Sequence, residues 1–145
     1  MTQTQDMAEN QDSIKRGLAL MDEVYGPGFS ENMPAEYTPM LDKTIGHLFG
    51  EVWSRPGLSV RDRRLLVIGA TAMLGRADLI EIQVRGALAN DELSAEELRE
   101  AVLQLQYYVG WGNGTQVNNG VEAALRAHAA KQATSGNATE GKEQS

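Results

Sequence analysis

At 145 residues the chain is expected to form one domain, long enough to bury a core without covalent staples. It contains no cysteine, which excludes disulfides, thiolate metal sites and every thiol-based redox mechanism. A net charge of −7 without a basic run argues against nucleic acid, and no apolar stretch nears the roughly 20 residues that span a bilayer.

Residues 1–12 are polar, lack the apolar run of a secretory leader, and are expected to be disordered. From Ser13 an apolar spacing at Ile14, Leu18, Met21, Val24 and Tyr25 predicts a first helix, which Gly26-Pro27-Gly28 ends. Residues 29–37 read as a linker. Thr38-Pro39 supplies an N-cap hydroxyl and a proline at the first helical position. The helix it opens has Met40, Leu41, Ile45, Leu48, Phe49, Val52 and Trp53 as its buried face, and Arg55-Pro56-Gly57 stops it. Ser59 caps a third helix over residues 60–74. That helix is apolar nearly all round after Arg64, so it is expected to lie in the middle of something. Gly75 suits the position just past its end.

A fourth helix is predicted over residues 77–90, with Leu79, Ile80, Val84, Ala87 and Leu88 on its apolar side. Ser94 and Glu97 make a capping box for a fifth helix over residues 95–109. Residues 110–114 read as a turn, and Thr115 as the cap of a sixth helix over residues 116–128. Residues 131–145 are low-complexity and polar, and are expected to be disordered, leaving residues 13–130 as the folded domain. No alternating run marks a strand. The expected fold class is all-α, with about six helices.

Four arginines, Arg55, Arg61, Arg63 and Arg64, gather around the start of the third helix, where cations oppose the helix dipole. Guanidinium groups placed there suit a carboxylate ligand, and pairing with Asp62 at the surface is the competing reading. Glu81 and Arg85 have the spacing of a solvated helix pair. Glu96, Glu97 and Glu100 lie in the first turns of the fifth helix. Capping accounts for Glu97, and Glu100 shares its face and can point inward. His47 and His128 are the only imidazoles, and their separation offers no metal-binding arrangement. Gly110, Gly112 and Gly114 resemble a phosphate loop, but no strand precedes them, so that context fails. The backbone N–H groups after this turn suit a carboxylate. Tyr107, Tyr108 and Trp111 beside it make an aromatic pocket wall, core or subunit contacts.

The run Phe49-Gly50-Glu51-Val52-Trp53-Ser54-Arg55-Pro56-Gly57-Leu58, followed by Arg63, resembles the signature of the carboxymuconolactone decarboxylase family. Val84-Arg85-Gly86-Ala87-Leu88, the stretch from Glu97 to Gln104, and Tyr108-Val109-Gly110 match in order and spacing. The resemblance implies an alkyl hydroperoxidase D-like helical fold that assembles into homo-oligomeric rings, commonly trimers or hexamers. It implies an enzyme for a small-molecule substrate, with no metal or cofactor; the absence of cysteine agrees with a cytoplasmic setting, and charge and hydropathy with no nucleic-acid or membrane partner. The family's sibling branch reduces peroxides through a CxxC pair. Here the corresponding region, Arg76-Ala77-Asp78-Leu79, has no sulfur, and that chemistry is excluded.

By the same resemblance the reaction is loss of CO₂ from a carboxylated lactone. It needs donors on the oxygen that takes up charge, an anchor for the remaining carboxylates, and an acid for carbon. Arg63 and Arg55 are the expected carboxylate anchors, with Tyr108, Trp111 and Trp53 as further substrate-binding residues. The family's histidine before Val-Arg-Gly-Ala-Leu is replaced by Gln83, which can hydrogen-bond an oxygen but cannot exchange a proton near neutral pH. Gln83 is therefore expected to contact the reacting oxygen, with Glu100 or His47 as proton carriers. The alternatives are a non-catalytic ligand-binding or assembly protein, or an isomerase or cyclase on the same scaffold.

Overall fold

A computed structural model describes residues 2–140. The described residues are helical with no strand, as expected for an all-α fold. Helix α1 spans Gln3–Tyr25, a short 3₁₀ turn covers Phe29–Asn32, and α2 begins as one α-helical turn, Pro39–Asp42. It continues as a π-helix, Lys43–Trp53. Helices α3 (Val60–Ala72), α4 (Ala77–Ala89) and α5 (Ala95–Glu140) complete the chain.

Residues 3–12, expected to be disordered, are the first turns of α1. They contain no Gly or Pro, and the Gln5 side chain accepts from the Thr2 backbone N–H at 3.1 Å. They bury nothing; the first buried side chain is Ser13. Of the expected C-terminal tail, residues 131–140 continue α5, and residues 141–145 lie outside the described residues. The turn expected over residues 110–114 is a single break at Gly110 (φ 82°, ψ 162°), a conformation open in practice only to glycine. Trp111 onward is helical again, so the fifth and sixth predicted helices are the two parts of α5. Thr115 does not cap: its hydroxyl donates to the Trp111 carbonyl within the helix, at 2.8 Å.

Contacts group the chain into two compact units, residues up to Leu65 and residues from Leu66 onward, dividing within α3. In the first unit α1 packs on α2 through glycines. A Cβ on Gly17 would collide with the Ile45 carbonyl, and one on Gly50 with the Ser13 carbonyl, so these backbones approach as closely as only glycine permits. The π geometry sets which residues face inward. An i→i+5 helix has more residues per turn than an α-helix, so positions four apart share a face. Ile45, Phe49 and Trp53 are buried accordingly, while Leu48 and Met40, expected on that face, are exposed. The Phe49 and Trp53 rings stack at 5.6 Å, and Tyr25 meets Phe49 edge-on.

In the second unit α4 packs on α5. Ile80, Gln83, Val84, Ala87 and Leu88 form its inner face, and Gly120 of α5 comes so near Ala77 and Ile80 that a Cβ would clash. The predicted caps are in place. The Ser94 and Glu97 side chains and backbone N–H groups bond reciprocally at 2.8 and 3.1 Å. Thr38 accepts from Leu41 N–H, and Ser59 from Asp62 N–H. Helix α3 ends at Ala72, two residues short of expectation, and Gly75 turns the chain at φ 61°.

Candidate functional site

The arginine cluster resolves into distinct roles. Arg64, the innermost, is fully buried and donates from Nη2 to the Val24 carbonyl at 2.6 Å. Val24 lies in the last turn of α1, which has no basic residue of its own, so Arg64 supplies both a donor and a positive charge to that helix end. Arg61 lies 3.7 Å from the neighbouring Asp62 carboxylate. Arg63 is half-buried and donates from Nη2 to the Arg55 carbonyl at 2.9 Å. Its Nε is buried and has no hydrogen-bond partner among the described residues. The guanidinium is thus positioned by one backbone bond and keeps donor capacity that the fold leaves unused. Of the two expected carboxylate anchors, Arg55 contributes a carbonyl to Arg63, and its own side chain is exposed.

Trp53 sits in the core of the first unit, stacked on Phe49. His47 projects from the same helix into solvent. Its Nδ1 lies 2.6 Å from Glu51 Oε2, so the carboxylate orients the ring. Glu51 stands within the Phe49–Leu58 run. Its four-residue spacing from His47 is the signal that would have found the pair.

In the second unit Gln83 is 6% exposed, one of three buried polar side chains among the described residues, with Ser13 and Arg64. Its inward placement follows from the i, i+3, i+4 spacing it shares with Ile80, Val84 and Ala87. Glu100, expected to be able to point inward, is exposed, because Leu98 and Val102 take the inner face of α5. Tyr107, Tyr108 and Trp111 are all exposed, and Tyr107 packs edge-on against Trp111 at 5.7 Å across the Gly110 break. Glu81 and Arg85 form the exposed helix pair their spacing predicts. Arg76 and Asp78 pair with each other at the start of α4: two bonds of 2.8 and 2.6 Å hold the Asp78 carboxyl down at about 2. Nothing in that pair can reduce a peroxide.

The model of the carboxymuconolactone decarboxylase family matches residues 39–127, well over half of the sequence. The chain belongs to the carboxymuconolactone decarboxylase family. The match starts at Pro39 and takes in α2, α3, α4 and most of α5, including Arg63, Gln83 and both expected aromatic residues of α5. Among curated relatives, the 4-carboxymuconolactone decarboxylase of Acinetobacter baylyi is 40% identical over 62 residues, which is 43% of this chain and 46% of that one. The nitrosuccinic acid decarboxylase npaB of Metarhizium robertsii is 32% identical over 100 residues, 65% of this chain and 68% of its own. The chain therefore spans about half of the first relative and about two thirds of the second. Among the described residues, no helix of this family member is long and apolar enough to cross a membrane.

Proposed function

We propose that the protein is a cofactor-free decarboxylase of small polycarboxylic acids. In such acids the departing carboxylate sits on a carbon whose electrons can pass to an electron-withdrawing group. One observation carries this reading: the two relatives are named for unlike substrates, a carboxylated lactone and a nitro diacid, yet both lose CO₂. The shared chemistry is simple. The bond to the carboxylate breaks, its electron pair moves into a lactone carbonyl or a nitro group, CO₂ leaves, and a proton then adds to carbon. The enzyme's task is to hold the remaining carboxylate and to stabilise charge on that oxygen.

Arg63 is assigned to the retained carboxylate, because its guanidinium is oriented by Arg55 and has unused donors. Gln83 is assigned as an amide donor to the oxygen that gains charge. An exposed amide would contribute little to this, since water competes; a buried one works at low dielectric. A neutral donor can stabilise an oxyanion without supplying the proton. We assign that proton to His47, which Glu51 orients. Glu100 is the second candidate. Tyr108 and Trp111 remain proposed substrate contacts, and a homo-oligomer in the cytoplasm remains the proposed setting.

One observation favours the non-catalytic alternative. The buried polar side chain of α4, Gln83, cannot exchange a proton near neutral pH, and ligand binding needs no such exchange. Steady-state kinetics of three variants separate the readings. Gln83→Met keeps the volume of an unbranched chain and is expected to lower kcat about 10²–10³-fold with little change in KM, the signature of a lost oxyanion donor. Arg63→Ala is expected chiefly to raise KM. His47→Gln is expected chiefly to lower kcat. Equal kcat in native protein and Gln83→Met would refute the role given to Gln83, and CO₂ release that no variant alters would refute all three assignments.

A further inference from the structure

A cavity of about 500 Å³ opens in the second unit where the turn between α4 and α5 faces residues 122–132 of α5. None of the residues assigned above to decarboxylation lines it. Its size falls within the range of pockets that bind small organic molecules. Leu88, Leu93, Leu125 and Ala129 supply apolar walls, of which Leu88 and Leu93 are buried and so fixed.

The charged groups in its lining are Arg99, Glu122, Arg126, Asp91 and His128. Two of them are committed to each other: Arg99 donates to both Glu122 oxygens, at 2.8 and 3.2 Å. That pairing keeps the Glu122 carboxyl below its usual range, and the charge of Arg126 adds to the effect. Arg126 itself makes no hydrogen bond or ion pair with any described residue, although a carboxylate is only one turn away. The His128 ring takes the Gln132 amide on Nε2 at 3.0 Å, which places its proton on Nδ1 as a further donor. Asp91 adds one fixed negative charge, which penalises a ligand carrying a second acid.

We propose that this cavity is a ligand site for a small monocarboxylate with an apolar body. The carboxylate would bond to Arg126, and the body would fill the space between Leu125, Ala129 and the α4–α5 turn. The preference for a monoacid distinguishes it from a site that must retain one carboxylate of a polyacid while losing another. It stands or falls independently of the decarboxylase reading.

The test is an amide-resolved NMR titration of the full chain with phenylacetate. Its neutral analogue phenylacetamide is the control, and Arg126→Gln and Ala129→Trp are the variants. Both positions are exposed on α5, so neither change threatens the fold. Saturable shifts centred on residues 91–95 and 122–132 are expected, weakened tenfold or more by Arg126→Gln, which removes a charge-assisted bond. Ala129→Trp fills the apolar space and is expected to weaken binding as strongly. Three outcomes overturn the proposal: no saturable shift in the native protein, equal binding of phenylacetamide, or binding that survives either variant.

Discussion

Arg64 shows what a single side chain can decide. In the sequence it is one of four arginines near a helix start; in the fold it is fully buried and closes the C-terminal end of α1. Arg64→Ala leaves the Val24 carbonyl without this donor and opens a cavity. It is expected to destabilise the protein by about 3 kcal/mol, read as a lower urea midpoint. Asp78 gives a second test at this scale. Because Arg76 holds its folded carboxyl at about 2, the unfolded chain takes up this proton first as acid is added. The favourable pairing is therefore complete above the ordinary carboxylate range and is lost as pH falls towards 2. NMR titration of the Asp78 carboxyl is expected to show this depressed midpoint, and Arg76→Ala to return it towards the ordinary range; an unchanged midpoint would mean the pair does not form. Local signals at Thr38, Ser59, Ser94 and Glu97 were legible in the sequence, since each acts within three residues. The bonds of Arg64 to Val24 and of Arg99 to Glu122 join residues 40 and 23 apart, and no local pattern encodes them.

Elements were legible where their spacing was regular and their ends were capped. The order of helices and the inner face of α4, with Gln83 upon it, follow from helical periodicity. The π-helical form of α2 does not, because an apolar pattern with glycines at 46 and 50 fits either geometry. The glycine-rich segment of α5 misled for a related reason. Gly110, Gly112 and Gly114 look alike in sequence, but only Gly110 takes a non-helical conformation. Gly114 is small for packing, because the Gln106 side chain lies against it. Gly110→Ala is therefore expected to cost about 1–3 kcal/mol, whereas Gly112→Ala, with open space around it, is expected to be neutral or slightly stabilising. Thermal denaturation of the two variants checks the contrast. Equal melting temperatures would place the break elsewhere.

At the scale of the molecule, the sequence marked α3 as apolar all round and so as an interior helix. In the single chain one side of it and the residues that follow are not covered: Leu66 is 64% exposed, Met73 59% and Leu74 68%. Leu103, Tyr107 and Trp111 of α5 are exposed as well. This supports the proposed homo-oligomer, since a stable interface removes on the order of 1,200–2,000 Å² from water and is richest in such side chains. Light scattering on the eluted protein is expected to give a multiple of the 15.8 kDa chain, and Leu74→Glu to reduce it. A monomeric native protein would contradict this. The reaction is the part least legible from sequence, because helical periodicity places Gln83 on the inner face of α4 but does not encode the chemistry that a buried amide performs.

CO₂ release by the purified protein, offered 4-carboxymuconolactone and nitrosuccinate in turn, measures this most directly. Release from one of them, kept in native protein and reduced at least a hundredfold in Gln83→Met, is what a decarboxylase working through a buried amide predicts. A folded native protein that releases CO₂ from neither, or that does so only as Gln83→His, would contradict it.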